Sequence, residues 1–216
     1  MKVINLNEQN SLLNSFMKEL RSQTIQTDSM RFRRNIERVG EVIAYEMSKS
    51  FNYADEAVQT PLDTAHVNVP EEQIVIATIL RAGLPFHQGF LSYLDHAENA
   101  FVSAYRKYTS ETEFVIHTEY IASPSLEGKT LIICDPMLAT GSSMEVAYRA
   151  LLEKGMPKKV YLASVLATPQ ALEYLQKTLP AEVTLYTAAI DPVLNPHKYI
   201  VPGLGDAGDL AYGEKL

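Results

Sequence analysis

Only one cysteine, Cys134, occurs in the 216 residues. A single thiol excludes an internal disulfide framework and points to a reducing, cytoplasmic setting. No apolar run approaches the ~18 residues that a membrane span needs, and the opening MKVINLNEQN lacks the apolar core of a signal peptide. Basic tracts are missing too. With a net charge of −7, no broad nucleic-acid surface is expected, although individual arginines remain free to hold a small polyphosphate. The histidines (His66, His87, His96, His117, His197) show neither HExxH nor His–Cys spacing, so no catalytic zinc or other protein-bound metal centre is expected. The absence of a Walker lysine motif and of GxGxxG counts against an NTPase or a dinucleotide-binding domain. No repeat or low-complexity segment appears.

What is present fits a soluble α/β protein: 46% of the residues are hydrophobic and 21% charged. Helical spacing runs over Glu8–Ser22. A longer helix follows the capping run Thr27-Asp28-Ser29 as far as about Ser50, with Phe32, Ile36, Val39, Ile43 and Met47 on one face. Its other face carries Arg31, Arg33, Arg34 and Arg38, read as a solvated face pairing with Glu37 and Glu41. Tyr53–Pro70 reads as a loop or short edge hairpin. From there strands alternate with helices: strands at Gln73–Leu80, Ala100–Tyr105, Leu131–Cys134, Lys159–Leu166 and Val183–Ile190, with helices starting near Pro85, Met144 and Pro169. That alternation predicts a mainly parallel twisted sheet flanked by helices.

The chemistry concentrates in Thr130–Met144, TLIICDPMLATGSSM. A short buried strand stops at Asp135-Pro136, a run of small and hydroxylic residues follows, and a helix begins. First-turn amides lack partners within the helix and sit at the positive end of its dipole, which makes such a turn an anion site. Asp135 beside a phosphate is electrostatically wrong unless it faces sugar hydroxyls or the outer shell of Mg²⁺, so the site reads as holding a phosphate and a ribose together. Arg81 closes another strand and precedes Gly83. It reads as a bidentate diphosphate ligand at the carboxyl edge of the sheet, the alternative being a structural ion pair. Cys134 reads as a small core residue.

DPMLATGSS resembles the 5-phosphoribosyl 1-diphosphate (PRPP) loop of the phosphoribosyltransferases, and its wording resembles the uracil phosphoribosyltransferase family in particular. ILRAGL (79–84) resembles that family's pyrophosphate loop, and YIVPGLGDAGD (199–209) its uracil-binding segment. Together with MRFRRNIERVGEVIAYE, the likeness spans almost the whole chain. The resemblance implies the type I phosphoribosyltransferase fold as a single domain. Residues 1–50 would form an N-terminal helical arm, 73–191 the α/β core and 192–216 the uracil-binding segment, with a β-hairpin lid between.

The implied activity is transfer of phosphoribose from PRPP to N1 of uracil, giving UMP and diphosphate. By this resemblance PRPP is bound by Arg81, Arg106, Asp135, Pro136, Met137, Leu138, Ala139, Thr140, Gly141, Ser142, Ser143 and Asp206. Uracil is bound by Ile200, Gly205, Asp206 and Ala207, largely through main-chain donors and acceptors. Asp135, Arg106 and Asp206 carry the catalytic roles. Mg²⁺ is expected with the diphosphate, and GTP as an effector is allowed by the likeness, with activation left open. The resemblance also places Arg31 and Arg34 near phosphates, and packs the N-terminal helices against a second subunit as a homodimer or homotetramer. A strained or cis peptide is implied near Arg81-Ala82.

The sequence departs from the family in places. Lys107–Ser125 lacks the proline and Lys-Leu-Pro ending of the family's mobile loop and alternates like an extended hairpin. Ser142 stands where glycine is more usual; it fits if its φ is negative and carries strain if φ is positive. Two alternatives remain beside the leading reading: a noncatalytic regulator sensing UMP or PRPP, and a transferase for a different base. The glycine-rich run 202–209 reads as an ordered loop, too rich in glycine for a helix or a central strand, rather than as a fraying tail.

Overall fold

A computed structural model describes the backbone of residues 1–108 and 114–215, with side chains described outside 104–119. Its strands are β1 (Lys2–Asn5), β2 (Tyr53–Gln59), β3 (Thr64–Pro70), β4 (Ile74–Ile79), β5 (Glu98–Tyr108), β6 (Phe114–Ala122), β7 (Thr130–Cys134), β8 (Met137–Leu138), β9 (Lys159–Ala167), β10 (Thr184–Ile190), β11 (Val193–Leu194) and β12 (Ile200–Val201). Its α-helices are α1 (Leu13–Arg21), α2 (Ser29–Ser48), α3 (Gly83–Leu91), α4 (Ser142–Leu152), α5 (Pro169–Thr178) and α6 (Ala207–Tyr212). None of the described helices is long and apolar enough to cross a membrane.

The main sheet runs β1-β10-β9-β7-β4-β5-β6 with β8 beside β9; every pairing is parallel except β5–β6. Alternate residues of its central strands enter opposite cores. Ile132 and Cys134 join Ile76 under α1, α2 and α3, while Leu131 and Ile133 join Val75 and Ala77 under α4 and α5. Burial on both faces explains why these strands read as continuous apolar runs.

From β4 the chain winds through α3 to β5 on one side. It then returns to place β7 on the other side of β4, and continues outward through β9 and β10. The strand order therefore reverses between β4 and β7, and open α/β sheets bind ligands in the crevice beyond the carboxyl ends of such strands. Thr78 is in register with Cys134, so the residues that follow, Arg81 and Asp135, leave the sheet at that crevice.

Several expectations need correction. Residues 2–5 form an edge strand parallel to β10, and the first helix starts at Leu13, not Glu8; four residues at a sheet edge carry too little pattern to read. Tyr53–Pro70 is a hairpin, but it forms a two-stranded sheet of its own. The helix expected after Arg81 ends at Leu91. The cis peptide implied near Arg81-Ala82 is present, at Leu80–Arg81, and a second precedes Pro202. Finally, Ala207–Tyr212 is helical despite Gly208, because the Asp206 side chain caps it, accepting from the N–H of Gly208 (2.9 Å) and of Asp209 (3.0 Å).

Candidate active site

The turn from β7 to α4 is held from behind by β9 and α5. The Asp135 N–H donates to Ala163 O, and Pro136 O accepts from the N–H groups of Val165 and Leu166. Thr168, almost fully buried, donates its hydroxyl to Ala139 O (2.7 Å) while accepting from Ala171 N–H as the N-cap of α5. Gly141 takes φ +81° directly before α4, and a side chain there would press on Leu175, Tyr174 and Ala171 O at 3.1–3.2 Å. The positive φ thus falls on Gly141, not on Ser142. Ser142 opens the helix without strain, its hydroxyl 2.7 Å from that of Thr140.

The first-turn amides of α4, with no intrahelical acceptors, open on a small cleft lined by Asp135, Met137, Leu138, Ala139, Thr140, Gly141, Ser143 and Met144. One carboxylate oxygen of Asp135 accepts from the Met137 N–H at 3.1 Å, which orients the group over the turn. Cys134 is fully buried; burial, reinforced by the charge of Asp135, raises its thiol well above the ordinary value, so it stays an inert core residue.

Arg81 donates to Asp209 Oδ1 (2.7 Å) and to Gly213 O (3.1 Å). The structural ion pair weighed for it is therefore real, and it ties the end of β4 to the C-terminal segment. A guanidinium has five N–H donors in all, so these bonds leave capacity for a polyphosphate. A side chain at Gly83 would lie 3.5 Å from Cys134 O, and one at Gly208 would lie 3.2 Å from Asp206 Oδ1 and 3.4 Å from Arg81 Nη2. The β7 end, the β4 end and the Asp206 turn consequently meet in one place. Arg106 lies on β5, and its side chain is outside the described residues.

The C-terminal segment is ordered. Ile200 and Ala207 are buried, and Gly203 and Gly205 take positive φ. Burial pushes the Asp206 carboxyl up, but the Asp209 amide, Lys215 and the Gly208 amide together outweigh it and hold it below the usual range, so it is ionised at neutral pH. Arg34 pairs with Glu37 and Glu41, as the solvated-face reading expects, whereas Arg31 pairs instead with Glu19 of α1; neither pairing involves the crevice groups named above.

Sequence reading missed the residues that hold this segment. Arg21, ending α1, makes a bidentate pair with Asp191 (2.7 and 2.8 Å), and both bind Gly203. Arg33 donates to Ala211 O at 2.7 Å and lies over the Tyr212 ring. Asp191 had a signal: it repeats, after β10, the Asp-Pro step that follows β7. Arg21 and Arg33 had none, because their partners lie more than 160 residues away.

A family model described as uracil phosphoribosyltransferase matches residues 7–214. A uracil phosphoribosyltransferase of Porphyromonas gingivalis is 61% identical over 216 residues, covering 100% of both chains. One of Pyrococcus furiosus is 35% identical over 212 residues, covering 97% of this chain and 89% of that one. Among solved structures, the AQ2163 protein of Aquifex aeolicus is 32% identical with a TM-score of 0.87 and 98% coverage of each chain. A hypoxanthine phosphoribosyltransferase of Staphylococcus aureus, 15% identical with a TM-score of 0.50 over 75% of this chain and 76% of that one, shares the fold alone. With its parallel sheet, its crevice at the β4/β7 reversal and a family match over nearly every residue, this chain belongs to the uracil phosphoribosyltransferase family.

Proposed function

We propose that this protein transfers the 5-phosphoribosyl group of PRPP to uracil: the C1′–oxygen bond to diphosphate breaks, the C1′–N1 bond forms, and UMP and diphosphate leave. The observation that carries this reading is the convergence of an anion-binding turn, an arginine at the neighbouring strand end and a glycine-rich capped segment at one crevice. The amides and hydroxyls of Ala139–Ser143 hold the 5-phosphate, and Asp135, which lines the same cleft, takes the ribose hydroxyls. Arg81 and Arg106 take the diphosphate. Main chain at Ile200, Gly205 and Ala207 reads the carbonyl–NH–carbonyl edge of uracil. An amino group there would meet a mismatched donor, and a misplaced polar pair of that kind discriminates strongly.

The reaction needs no covalent nucleophile. Positioning and electrostatic stabilisation of a cationic sugar ring and a departing anion suffice. Asp206, ionised and next to the base-reading amides, is the acceptor for the N1 proton. Among the described residues no group of three or more His, Cys, Asp or Glu converges. Such a sparse donor set fits a Mg²⁺ ion that arrives on the substrate's oxygens and water, where it neutralises diphosphate charge. The antiparallel pairing of β5 with β6 supports the extended hairpin read at Lys107–Ser125, of which 109–113 lie outside the described residues.

The test is diphosphate release from PRPP and Mg²⁺ with uracil, cytosine, hypoxanthine or xanthine. Turnover with uracil alone is expected. Turnover with another base would reassign the base-reading segment, and none with any base would leave a sensor on an enzyme scaffold.

A further inference from the structure

Gly203 sits in the middle of the base-reading segment, between Ile200 and Gly205, and both of its peptide groups are captured by side chains from outside that segment. Its N–H donates to Asp191 Oδ2 at 2.8 Å, and its C=O accepts from Arg21 Nη1 at 3.0 Å. The same Arg21 nitrogen donates to that Asp191 oxygen at 2.7 Å, and Nη2 donates to the other oxygen at 2.8 Å. Arg21 ends the N-terminal helix, and Asp191 leaves the carboxyl end of β10, its own N–H fixed on Ala167 O. The carboxylate is 7% exposed. Gly203 has φ +57°, and any side chain there would meet Ile200 O at 2.0 Å, so the turn is closed as tightly as backbone allows.

We infer that Arg21 and Asp191 form a positioning pair for base selection: they touch neither substrate, but fix the main chain that does. The inference rests on the proposed transfer to uracil. Its physical content is preorganisation. Main-chain donors and acceptors discriminate a carbonyl from an amino edge only if they cannot turn to suit either. Glycines at 203, 205 and 208 leave the segment free to turn unless something outside it holds it. A bidentate guanidinium–carboxylate pair gripping the two peptide planes that flank Gly203 supplies that hold. Because the pair comes from α1 and the residue after β10, not from the β7–α4 turn, its loss falls on the base more than on PRPP.

Steady-state kinetics with each substrate varied separately test this. Arg21→Met is expected to raise the KM for uracil about tenfold, to lower the uracil-over-cytosine ratio of kcat/KM, and to leave the KM for PRPP within about threefold. Arg21→Lys, keeping the charge but losing the fork, should recover part of the loss. Arg21→Met/Asp191→Asn should be little worse than Arg21→Met, because the pair acts as one unit. Equal rises in both KM values, or an unchanged uracil KM beside a lowered Tm, would overturn the proposal.

Should the variants fail to fold, amide exchange in the unmodified protein decides. Gly203 N–H is expected to be protected like a core amide before any ligand is added; protection appearing only with UMP would mean that the ligand, not the pair, orders the segment. A native chain that turns over no base would defeat the parent reading. Normal native turnover with unaffected variants would defeat only this one.

Discussion

The two halves of the crevice are built by opposite means. The side proposed for the phosphate is one continuous stretch, strand to turn to helix, buttressed by its immediate sheet neighbours through Pro136 O, Thr168 and the packing around Gly141. The side proposed for the base is a glycine-rich terminal segment that sets Ile200, Leu204, Ala207 and Ala211 into the core between its turns. It is held by charged side chains arriving from elsewhere: Arg21 with Asp191 at Gly203, Arg33 at Ala211 O, and Arg81 at Asp209 and Gly213 O. A turn held by neighbours is rigid wherever the sheet is rigid. A segment held by ion pairs is as rigid as those pairs, and its geometry can be changed without disturbing the sheet.

The largest expected effect tests the phosphate side at the acid that follows its strand. Asp135→Asn keeps the acceptor for the Met137 N–H but removes the charge proposed to face the cationic ribose; turnover should fall on the order of 10²-fold or more with Tm nearly unchanged. A near-native kcat would remove Asp135 from the reaction. Next in size is Gly141→Ala. It forces a side chain into a left-handed conformation at about 1–2 kcal/mol and presses on Leu175, Tyr174 and Ala171 O, so both Tm and PRPP affinity should drop while uracil binding to any PRPP-loaded fraction holds. Thr168→Val, which deletes the α5 N-cap and the bond to Ala139 O, should cost about 1–2 kcal/mol in thermal unfolding and a smaller loss in PRPP affinity.

The same contrast explains what was legible in the sequence. The sheet strands could be read because burial on both faces makes them apolar throughout. The strand–turn–helix geometry at 130–152 could be read because the turn lies within 135–141, punctuated by Pro136 and Gly141. The base side was only half readable. Its glycines and the acid Asp206 stand in the sequence, but α6 was hidden by Gly208, since nothing local weighs a capping aspartate against a glycine in the first turn. Arg33 read as a solvated helix arginine and Arg21 drew no reading at all, because their partners are set by tertiary folding. Even Arg81, correctly placed at the strand end, has Asp209 as a partner through a fold-level contact that no local pattern encodes.

The smallest effect sharpens the comparison through pH. Burial raises the Asp191 carboxyl, but Arg21 and the Gly203 amide more than offset it, so its folded value lies below the ordinary 3.8. A carboxyl depressed by folding stabilises the native state fully above its unfolded value, and that contribution is lost as the pH falls through the folded value. Native protein and Asp191→Asn should therefore differ in stability at neutral pH by only about 0.5–1 kcal/mol, since asparagine keeps an acceptor for Gly203 and Arg21 is partly in water. The gap should hold down to about pH 4 and close below it. Thr168→Val, which removes no charge, should show a gap insensitive to pH over the same range. If both gaps moved together on acidification, the base side would owe its order to the same uncharged packing as the phosphate side, and the contrast between them would collapse.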